Sequence, residues 1–290
     1  MEGGIRMSKK RKKNKSLSRE IGLEIGAICG KHFLKLEHLH YGYWTEDMDV
    51  EIFNLHIAQE KYVDLLISHI PEGAKIILDV GCGMGQISRK LLDRGYKVDC
   101  VSPSAYLAEC TRNLLGDEPT IFECFYEQLE TDKRYDVVLF SESFQYIPPK
   151  DAVAKTLSIL NPGGHMLICD IFQTEAQGRS SLSGGHKLKN FNAVMKDAED
   201  AMELATDVDI TENTAPTIDI ECDLFRNVGL PVMGLVEKLM HSRHPWLTKL
   251  IMWKAQKKID RMHKKYLGGD RTGENFKKFK SYRLFLYRKK

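Results

Sequence analysis

The sequence of 290 residues lacks any apolar run long enough to cross a membrane, and no apolar stretch follows its basic N-terminus. We therefore expect neither a transmembrane helix nor a secretory signal. The seven cysteines are scattered, odd in number and without a Cys-x-x-Cys pair. Such cysteines are typical of reduced, buried thiols, which predicts a cytoplasmic protein. Internal repeats and a dividing linker are also absent, so we expect one structural domain.

Acidic residues are scarce at both ends of the chain, although the net charge is only +3. Residues 1–15 contain seven Lys and Arg against one acid, and residues 235–290 contain seventeen against four. This asymmetry predicts that the two ends contact something anionic. Residues 1–18 cannot form a core and are expected to be a disordered basic tail, which either aids solubility or contacts an anionic partner.

Residues 19–70 have the pattern of two or three helices, which we expect to form an N-terminal cap, and the pattern changes at residue 71. From there, strands are predicted at 76–80, 96–101, 121–124, 135–140 and 165–170, with helices at 86–94 and 151–160. Ser102 is expected to cap the helix after the second strand, with Pro103 at its first position. This alternation predicts a parallel, doubly wound α/β core in residues 71–172.

Residues 173–290 are expected to continue the sheet with less regular alternation. A helix is predicted at 190–204 and a sixth strand at 205–210. Helices follow between 219 and 267, and a last strand is expected at 281–288. The helices before the last strand would form a lid on the sheet.

A glycine-rich loop joins the first predicted strand to the first helix of the core. It reads Asp-Val-Gly-Cys-Gly-Met-Gly over residues 79–85, and glycines let a ligand approach the backbone closely. A dinucleotide would require Gly-x-Gly-x-x-Gly, but Gln86 stands at the third glycine position. Asp79 would repel a pyrophosphate, whereas it suits a ligand that carries an ammonium and a sulfonium. The loop therefore favours S-adenosylmethionine as cofactor.

Three segments, in the same order along the chain, resemble the motifs of class I S-adenosylmethionine-dependent methyltransferases. Residues 77–85 are similar to their first motif, 135–147 to their fourth-strand motif, and 160–168 to their turn into strand five. The resemblance implies a Rossmann-like, seven-stranded mixed sheet with helices on both faces. It also implies an N-terminal helical segment and a helical lid inserted before the last strand. In motif style the chain is nearest to the branch that acts on tocopherol precursors, sterols and acyl chains.

The loop and the resemblance together define an expected cofactor site. Where the family often has an acid for the ribose, this chain has Ser102, and Asp99 lies three residues earlier. Where an acid often meets the adenine, residues 125–127 are Phe-Tyr-Glu, so we expect the adenine to pack on Phe125 or Tyr126. The expected cofactor-binding residues are Tyr43, Asp79, Gly81, Cys82, Gly83, Gly85, Gln86, Ser102, Pro103, Phe125, Tyr126, Glu127 and Ser141.

The candidates for catalysis are Glu142, Tyr146, His186 and Tyr41. Glu142 and Tyr146 follow the fourth strand, at the carboxyl edge where ligands bind open α/β sheets, and Asp170 ends the fifth strand at the same edge. His186 lies on a glycine-rich loop that could close over the site. The resemblance adds Tyr41, since an aromatic residue of residues 38–44 lies over the methionine end of the cofactor in that branch. Alternatives stay open: a core contact for residues 38–44, a backbone cap for Glu142 and a surface position for His186.

Residues 246–267 are predicted to form a long amphipathic helix with a basic face and two tryptophans, Trp246 and Trp253. This composition fits peripheral contact with an anionic membrane, and it fits equally a lid helix with a solvated basic face.

These features predict transfer of a methyl group to a hydrophobic or amphipathic small molecule, such as a lipid, isoprenoid, quinol or natural product. Because the cofactor would supply the electrophile, neither a catalytic triad nor a metal cluster is expected. One alternative is a cofactor-binding regulatory or assembly protein without catalysis. Another is a nucleic-acid methyltransferase, which is disfavoured because no Asn-Pro-Pro-Tyr-like motif follows the fourth strand.

Overall fold

A computed structural model describes residue 30 and residues 36–178 and 180–290. The tail expected at residues 1–18 and the first part of the expected N-terminal cap lie outside the described residues. The described strands are β1 Ile76–Val80, β2 Lys97–Val101, β3 Ile121–Phe122, β4 Tyr135–Ser141, β5 Leu160–Gln173, β6 His186–Lys187, β7 Met202–Asp209 and β8 Lys280–Lys289.

The strands form one mixed sheet in the order β3-β2-β1-β4-β5-β8-β7, with the two-residue β6 beside the end of β5. Strands β1 to β5 are parallel, whereas β8 runs antiparallel to both β5 and β7. The central strands are apolar on both faces; residues 137–140 of β4, for example, have no exposed surface. A strand buried on both faces requires such a continuous apolar run. The mixed, Rossmann-like sheet predicted from the sequence is confirmed.

Helices cover both faces of the sheet. The described helices are α1 Leu55–Ser68, α2 Gln86–Asp93, α3 Ala105–Leu115, α4 Pro149–Ile159, α5 Leu188–Asp197, α6 Thr211–Thr214, α7 Pro216–Leu224, α8 Leu230–Arg243, α9 Pro245–Leu267 and α10 Gly273–Phe279. One core layer packs Tyr62 of α1 and Leu91 of α2 against the sheet. The other packs Val153 of α4 and Phe191 of α5 against the opposite face. Burial of these apolar side chains, about 1.5–3 kcal/mol each, holds the layers together.

Two expected helix boundaries differ from the structure. The N-cap of α3 is Ser104, whose Oγ accepts a hydrogen bond from Leu107 N, and not Ser102. Ser102 N still donates to Phe122 O in the ladder, so the strand conformation extends past β2 and the helix begins later. Helix α5 ends at Asp197 rather than at residue 204, because acidic side chains follow it and oppose the negative end of the helix dipole.

Strand β5 is longer than expected. Antiparallel pairing with β8 continues to Gln173 opposite Lys280, which places Asp170 inside the strand, opposite Arg283, rather than at its end. The last five helices, α6 to α10, are inserted between β7 and β8, as expected for a lid before the last strand. Within the described residues, no helix is both long enough and apolar enough to cross a membrane.

Candidate active site

The loop from β1 to α2 forms the floor of the site. Gly81, Gly83 and Gly85 all have positive φ, at 76°, 58° and 86°. A Cβ added to Gly81 would lie 2.5 Å from Ser143 Cβ, so the loop and the segment after β4 approach as closely as backbone allows. Glycine is the residue that adopts this conformation without steric cost, which explains the motif physically.

Asp79 places a carboxylate beneath this loop. Its side chain is 1% exposed, and Ser88 Oγ donates a hydrogen bond of 2.6 Å to Asp79 Oδ2. Burial raises the pKa of Asp79 to about 6, against the opposing effect of that hydrogen bond. The protein therefore holds a poorly compensated negative charge here, which a cationic ligand would stabilise.

Glu142 follows β4 and is the one non-glycine residue of the described chain with positive φ, at 51°. Its Oε1 accepts hydrogen bonds from Tyr41 N and Tyr282 Oη, both 2.7 Å long. Burial raises the pKa of Glu142 to about 8, although these donors act in the opposite direction. A backbone conformation that costs free energy, combined with a partly buried carboxyl of raised pKa, is typical of a functional position.

Tyr282 belongs to a buried chain of hydroxyl groups that fixes Glu142. Tyr282 Oη donates its one proton to Glu142 Oε1 and lies 3.3 Å from Tyr62 Oη. Tyr62 Oη in turn lies 3.0 Å from Ser141 Oγ, at the end of β4. Strand β8 and helix α1 thus hold the carboxyl from the side opposite the loop.

Residues 36–44, within the expected N-terminal cap, run in an irregular segment without helix or strand. Burial alternates along it: Glu37 and Leu39 are exposed, whereas His38 and His40 are buried. His40 Nδ1 donates to Tyr41 O at 2.8 Å, because a carbonyl can only accept. Nε2 of the same ring is buried without a hydrogen-bond partner. Burial lowers the pKa of His40 well below its usual value, so Nε2 is an unprotonated acceptor.

These elements enclose a cavity of about 340 Å³ at the carboxyl edge of the sheet. Most of the residues expected in the site line it. They are Asp79, Gly81, Cys82, Gly83, Gln86, Ser102, Pro103, Phe125, Tyr126, Glu127, Ser141, Glu142 and Tyr146. The sequence analysis missed four further lining residues from the N-terminal segment, Glu37 to His40. The two-residue alternation around His38 and His40 is the pattern by which they could have been found.

Four expected site residues lie outside the lining of this cavity. Tyr41 and Tyr43 pack against the core, and the Tyr41 ring lies 5.8 Å from that of Phe276. Gly85 sits behind the loop, where a Cβ would lie 3.0 Å from a Thr111 methyl. His186 Nε2 donates to Ile147 O at 2.8 Å, so this nitrogen braces the wall of the cavity.

Two acids near the site have structural partners. Asp170 is fully buried and accepts hydrogen bonds from Gln145 N and Nε2, which fixes the turn after β4. Asp99 accepts from Lys133 Nζ and Tyr135 Oη, and it does not line the cavity. Ser102 therefore remains the polar residue at the end of β2 that lines the cavity.

The hydrogen-bond acceptors and apolar side chains of the cavity fit S-adenosylmethionine. Asp79, Glu142 and the free Nε2 of His40 supply three acceptors for a cationic group, and the glycine loop admits a ligand against the backbone. Phe125 and Leu107 supply apolar surface for a base. The sheet order and this site at its carboxyl edge define a class I methyltransferase fold.

Comparisons with known proteins agree with this class. A family model of the methyltransferase domain matches residues 78–168. A ubiquinone biosynthesis O-methyltransferase of Rickettsia felis is 27% identical over 160 residues, which cover 52% of this chain and 65% of that relative. The chain thus spans less than two thirds of the length of that relative.

Two solved structures share the fold across most of the chain. The [4+2]-cyclase SpnF has a TM-score of 0.65 at 15% identity, covering 93% of this chain and 95% of its own. Geranyl diphosphate C-methyltransferase from Streptomyces coelicolor, in complex with Mg²⁺, geranyl diphosphate and S-adenosyl-L-homocysteine, has a TM-score of 0.63 at 18% identity. That match covers 90% of this chain and 92% of its own. Residues 78–168 thus match a methyltransferase domain, and the chain as a whole has the fold of these two structures.

His40→Phe tests the assignment of the free ring nitrogen. The substitution keeps an aromatic ring beside Tyr62, whose centroid lies 4.2 Å away, but removes the acceptor. We expect the affinity for S-adenosylhomocysteine to fall about tenfold, because a ligand donor would lose its buried partner. Thermal stability without ligand should be kept or increased, since an unsatisfied polar atom disappears. Calorimetric titration measures the affinity and thermal unfolding measures the stability, each beside the surface control His263→Phe; unchanged affinity would contradict the assignment.

Proposed function

We propose that this protein transfers a methyl group from S-adenosylmethionine to a hydrophobic or amphipathic small molecule. The observation that carries the proposal is the presence of two carboxyls with raised pKa values, the buried Asp79 and the partly buried Glu142, in one cavity on the glycine loop. When bound, the cofactor supplies an electrophilic methyl group. Asp79, the glycine loop and His40 would hold it, and the surrounding side chains would exclude water.

Glu142 is the residue that we assign to proton transfer. A base is required only when the acceptor carries a proton of high pKa, and a carboxylate with a raised pKa is suited to take it. Tyr282 and the backbone N–H of Tyr41 hold Oε1, so that the carboxyl keeps one orientation. Tyr146, which lines the same end of the cavity, would position the acceptor.

The acceptor class follows from the walls around Glu142. Leu39, Tyr146 and Ile147 line the same cavity as Glu142, and large apolar or aromatic side chains favour an apolar ligand. The Rickettsia relative is named for ubiquinone biosynthesis and the Streptomyces structure for geranyl diphosphate, so quinol and isoprenoid compounds are the acceptors to test first. A lipid or an apolar natural product belongs to the same chemical class.

The proposal also includes the location in the cell where the protein acts. Apolar acceptors concentrate in membranes, and the basic face of α9 fits contact with anionic headgroups. We therefore infer that the protein associates peripherally with a membrane.

A cofactor-binding protein without methyl transfer is the alternative that the comparisons support. The [4+2]-cyclase SpnF has the same fold, so the fold alone does not imply methylation. Loss of a methylated product in a deletion strain, sought by untargeted lipid and metabolite profiling, discriminates between the two.

Selective cofactor binding is the first test of the proposal. Thermal unfolding should shift upward with S-adenosylhomocysteine and stay unchanged with NAD, because Asp79 would repel a pyrophosphate. At a ligand concentration of about 100 times Kd, the stabilisation should reach about 2.7 kcal/mol. Stabilisation by NAD alone would refute the proposal. A second assay follows label from methyl-labelled S-adenosylmethionine into quinol, isoprenoid and lipid extracts.

A further inference from the structure

Helices α8 and α9 form a hairpin that stands apart from the core. The two helices contact each other and the π-helical turn Phe225–Gly229 at their base. There, the Phe225 ring stacks on Tyr266 with centroids 4.1 Å apart. Apart from Thr248, no described side chain of the two helices is buried. The lid expected from the sequence is thus, in this part, a projecting element.

The first helix exposes an apolar stripe that the sequence analysis did not single out. Val232, Leu235 and Leu239 recur at steps of three and four residues, which places them on one side of the helix, and Val228 precedes them in the π-helical turn. Leu235 is 65% exposed and the other three are each about half exposed. Exposed apolar residues occur singly on most proteins, but a contiguous row of this kind marks a contact surface.

The second helix has an exposed apolar side of its own, which also carries charge. Trp246, Leu250 and Trp253 share one side, and the two tryptophans are 72% and 74% exposed. Further along the same side, the helix carries Lys257 and Lys264. The end near the hairpin turn is therefore apolar and aromatic, and the end near the base is cationic.

The net charge of the hairpin indicates which kind of partner its apolar surface contacts. Residues 230–267 contain nine Lys and Arg against two acidic residues. The centre of an interface between two proteins is depleted of charged residues. A lipid surface, in contrast, is contacted by apolar side chains, tryptophans and lysines together. A second copy of this hairpin would bring two cationic surfaces into contact, which is unfavourable.

We propose that the tip of this hairpin inserts into the headgroup region of an anionic lipid bilayer. Leu235, Leu239, Trp246 and Trp253 enter the apolar boundary, while Lys257 and Lys264 contact the lipid phosphates. The inference rests on the proposed function only in its choice of a membrane as the place where the acceptor is met. It goes beyond an electrostatic contact, because it assigns an apolar insertion surface to both helices.

Vesicles separate insertion from electrostatic contact. The full chain is mixed with vesicles of phosphatidylcholine alone or with phosphatidylserine, and binding is measured by co-sedimentation. The sequence has three tryptophans, and Trp44 is only 3% exposed, so fluorescence reports mainly on the hairpin. We expect binding to the anionic vesicles, a blue shift of the emission, and weaker binding in high salt.

Two sets of variants separate the two contributions. Lys254→Glu, Lys257→Glu and Lys264→Glu together should lower affinity about 100-fold, since each Lys contributes about tenfold or less near an anionic surface. Trp246→Ala with Trp253→Ala should lower it about tenfold at unchanged net charge. Lys189→Glu with Lys196→Glu, both on α5, is the control and should leave binding close to that of the unmodified chain.

Three results would overturn the proposal: absence of binding to either vesicle, equal binding to both, or binding without a tryptophan shift. Dimerisation of the unmodified chain that the Trp246 and Trp253 variants abolish would assign the surface to a second copy instead. Binding of S-adenosylhomocysteine is measured on the same preparations. Because the hairpin does not line the cavity, failure of membrane insertion with intact cofactor binding leaves the proposed methyl transfer standing and removes only the membrane association.

Discussion

Asp79→Asn is expected to weaken S-adenosylmethionine binding about 100-fold while making the ligand-free protein more resistant to heat at neutral pH. The affinity falls because a cationic ligand loses a buried charged partner, an interaction of about 1.5–3 kcal/mol. Asn keeps the size of the side chain and still accepts the hydrogen bond from Ser88. The change therefore removes charge and little else.

The gain in stability follows from the raised pKa of Asp79. The folded protein binds this proton more tightly than the unfolded chain does, so stability is lost as pH rises from the unfolded pKa near 4 to the folded pKa of about 6. Above that window, the ionised carboxyl costs about 3 kcal/mol. In the Asn variant this dependence should disappear, and the two proteins should be equally stable at low pH.

Calorimetric titration with S-adenosylmethionine and thermal unfolding from acidic to neutral pH measure the two effects. Asp93→Asn is the matched control, since Asp93 is an exposed residue at the end of α2, the helix that follows the glycine loop. It should change neither quantity appreciably. If Asp79→Asn bound the cofactor as well as the original protein does, the role of this carboxylate as the counter-charge would be refuted.

The core of this fold could be predicted because its determinants are local. The determinants lie in consecutive residues: strand β1, the loop at Gly81 to Gly85 and helix α2. Each glycine of this loop adopts a positive φ in the structure. The buried central strands likewise carry their apolar runs in the sequence itself. For this reason the position of Asp79 followed from residues on either side of it.

The N-terminal segment could not be predicted because distant residues determine its conformation. Tyr43 N donates to Ala58 O, and Trp44 N donates to Asn213 O, so α1 and α6 hold the chain extended. Its aromatic composition indicated Tyr41 and Tyr43 as the residues facing the cofactor. The contacts with these helices instead orient His38 and His40 toward the cavity.

The start of α3 shows a similar limit on a smaller scale. Ser102 and Ser104 are both good N-cap residues, and Pro103 between them fits either interpretation. The choice depends on Phe122 of β3, whose carbonyl accepts from Ser102 N and keeps that residue in the ladder. A partner 20 residues away decided a boundary that local preference left open.

Glu142→Gln is expected to lower methyl transfer 100-fold or more while S-adenosylhomocysteine still binds within about tenfold of its original affinity. Loss of a positioned base typically costs 10²- to 10⁴-fold in rate. Gln keeps an oxygen that accepts from Tyr41 N and Tyr282 Oη, so the turn after β4 should fold normally. Transfer of a labelled methyl group into quinol, isoprenoid or lipid extracts provides the rate.

Tyr282→Phe separates positioning of the carboxyl from proton transfer by it. This variant removes one donor to Glu142 Oε1 but keeps the carboxyl, so we expect a smaller loss of rate, about tenfold. The pH at which the rate reaches half its maximum should also rise, because the lost donor stabilised the ionised form. Glu130→Gln, at an exposed position, is the control for the loss of one negative charge.

The pH dependence of cofactor affinity gives a readout that requires no acceptor. Burial raises the pKa of Glu142 to about 8, so at neutral pH the ligand-free carboxyl is mostly protonated. A cationic ligand favours the ionised form, and its binding must therefore release a proton. Affinity for S-adenosylmethionine should rise with pH up to about 8 and then level off. Glu142→Gln should abolish the part of this rise above the pKa of Asp79, and a rise that persisted unchanged would show that another group binds the proton.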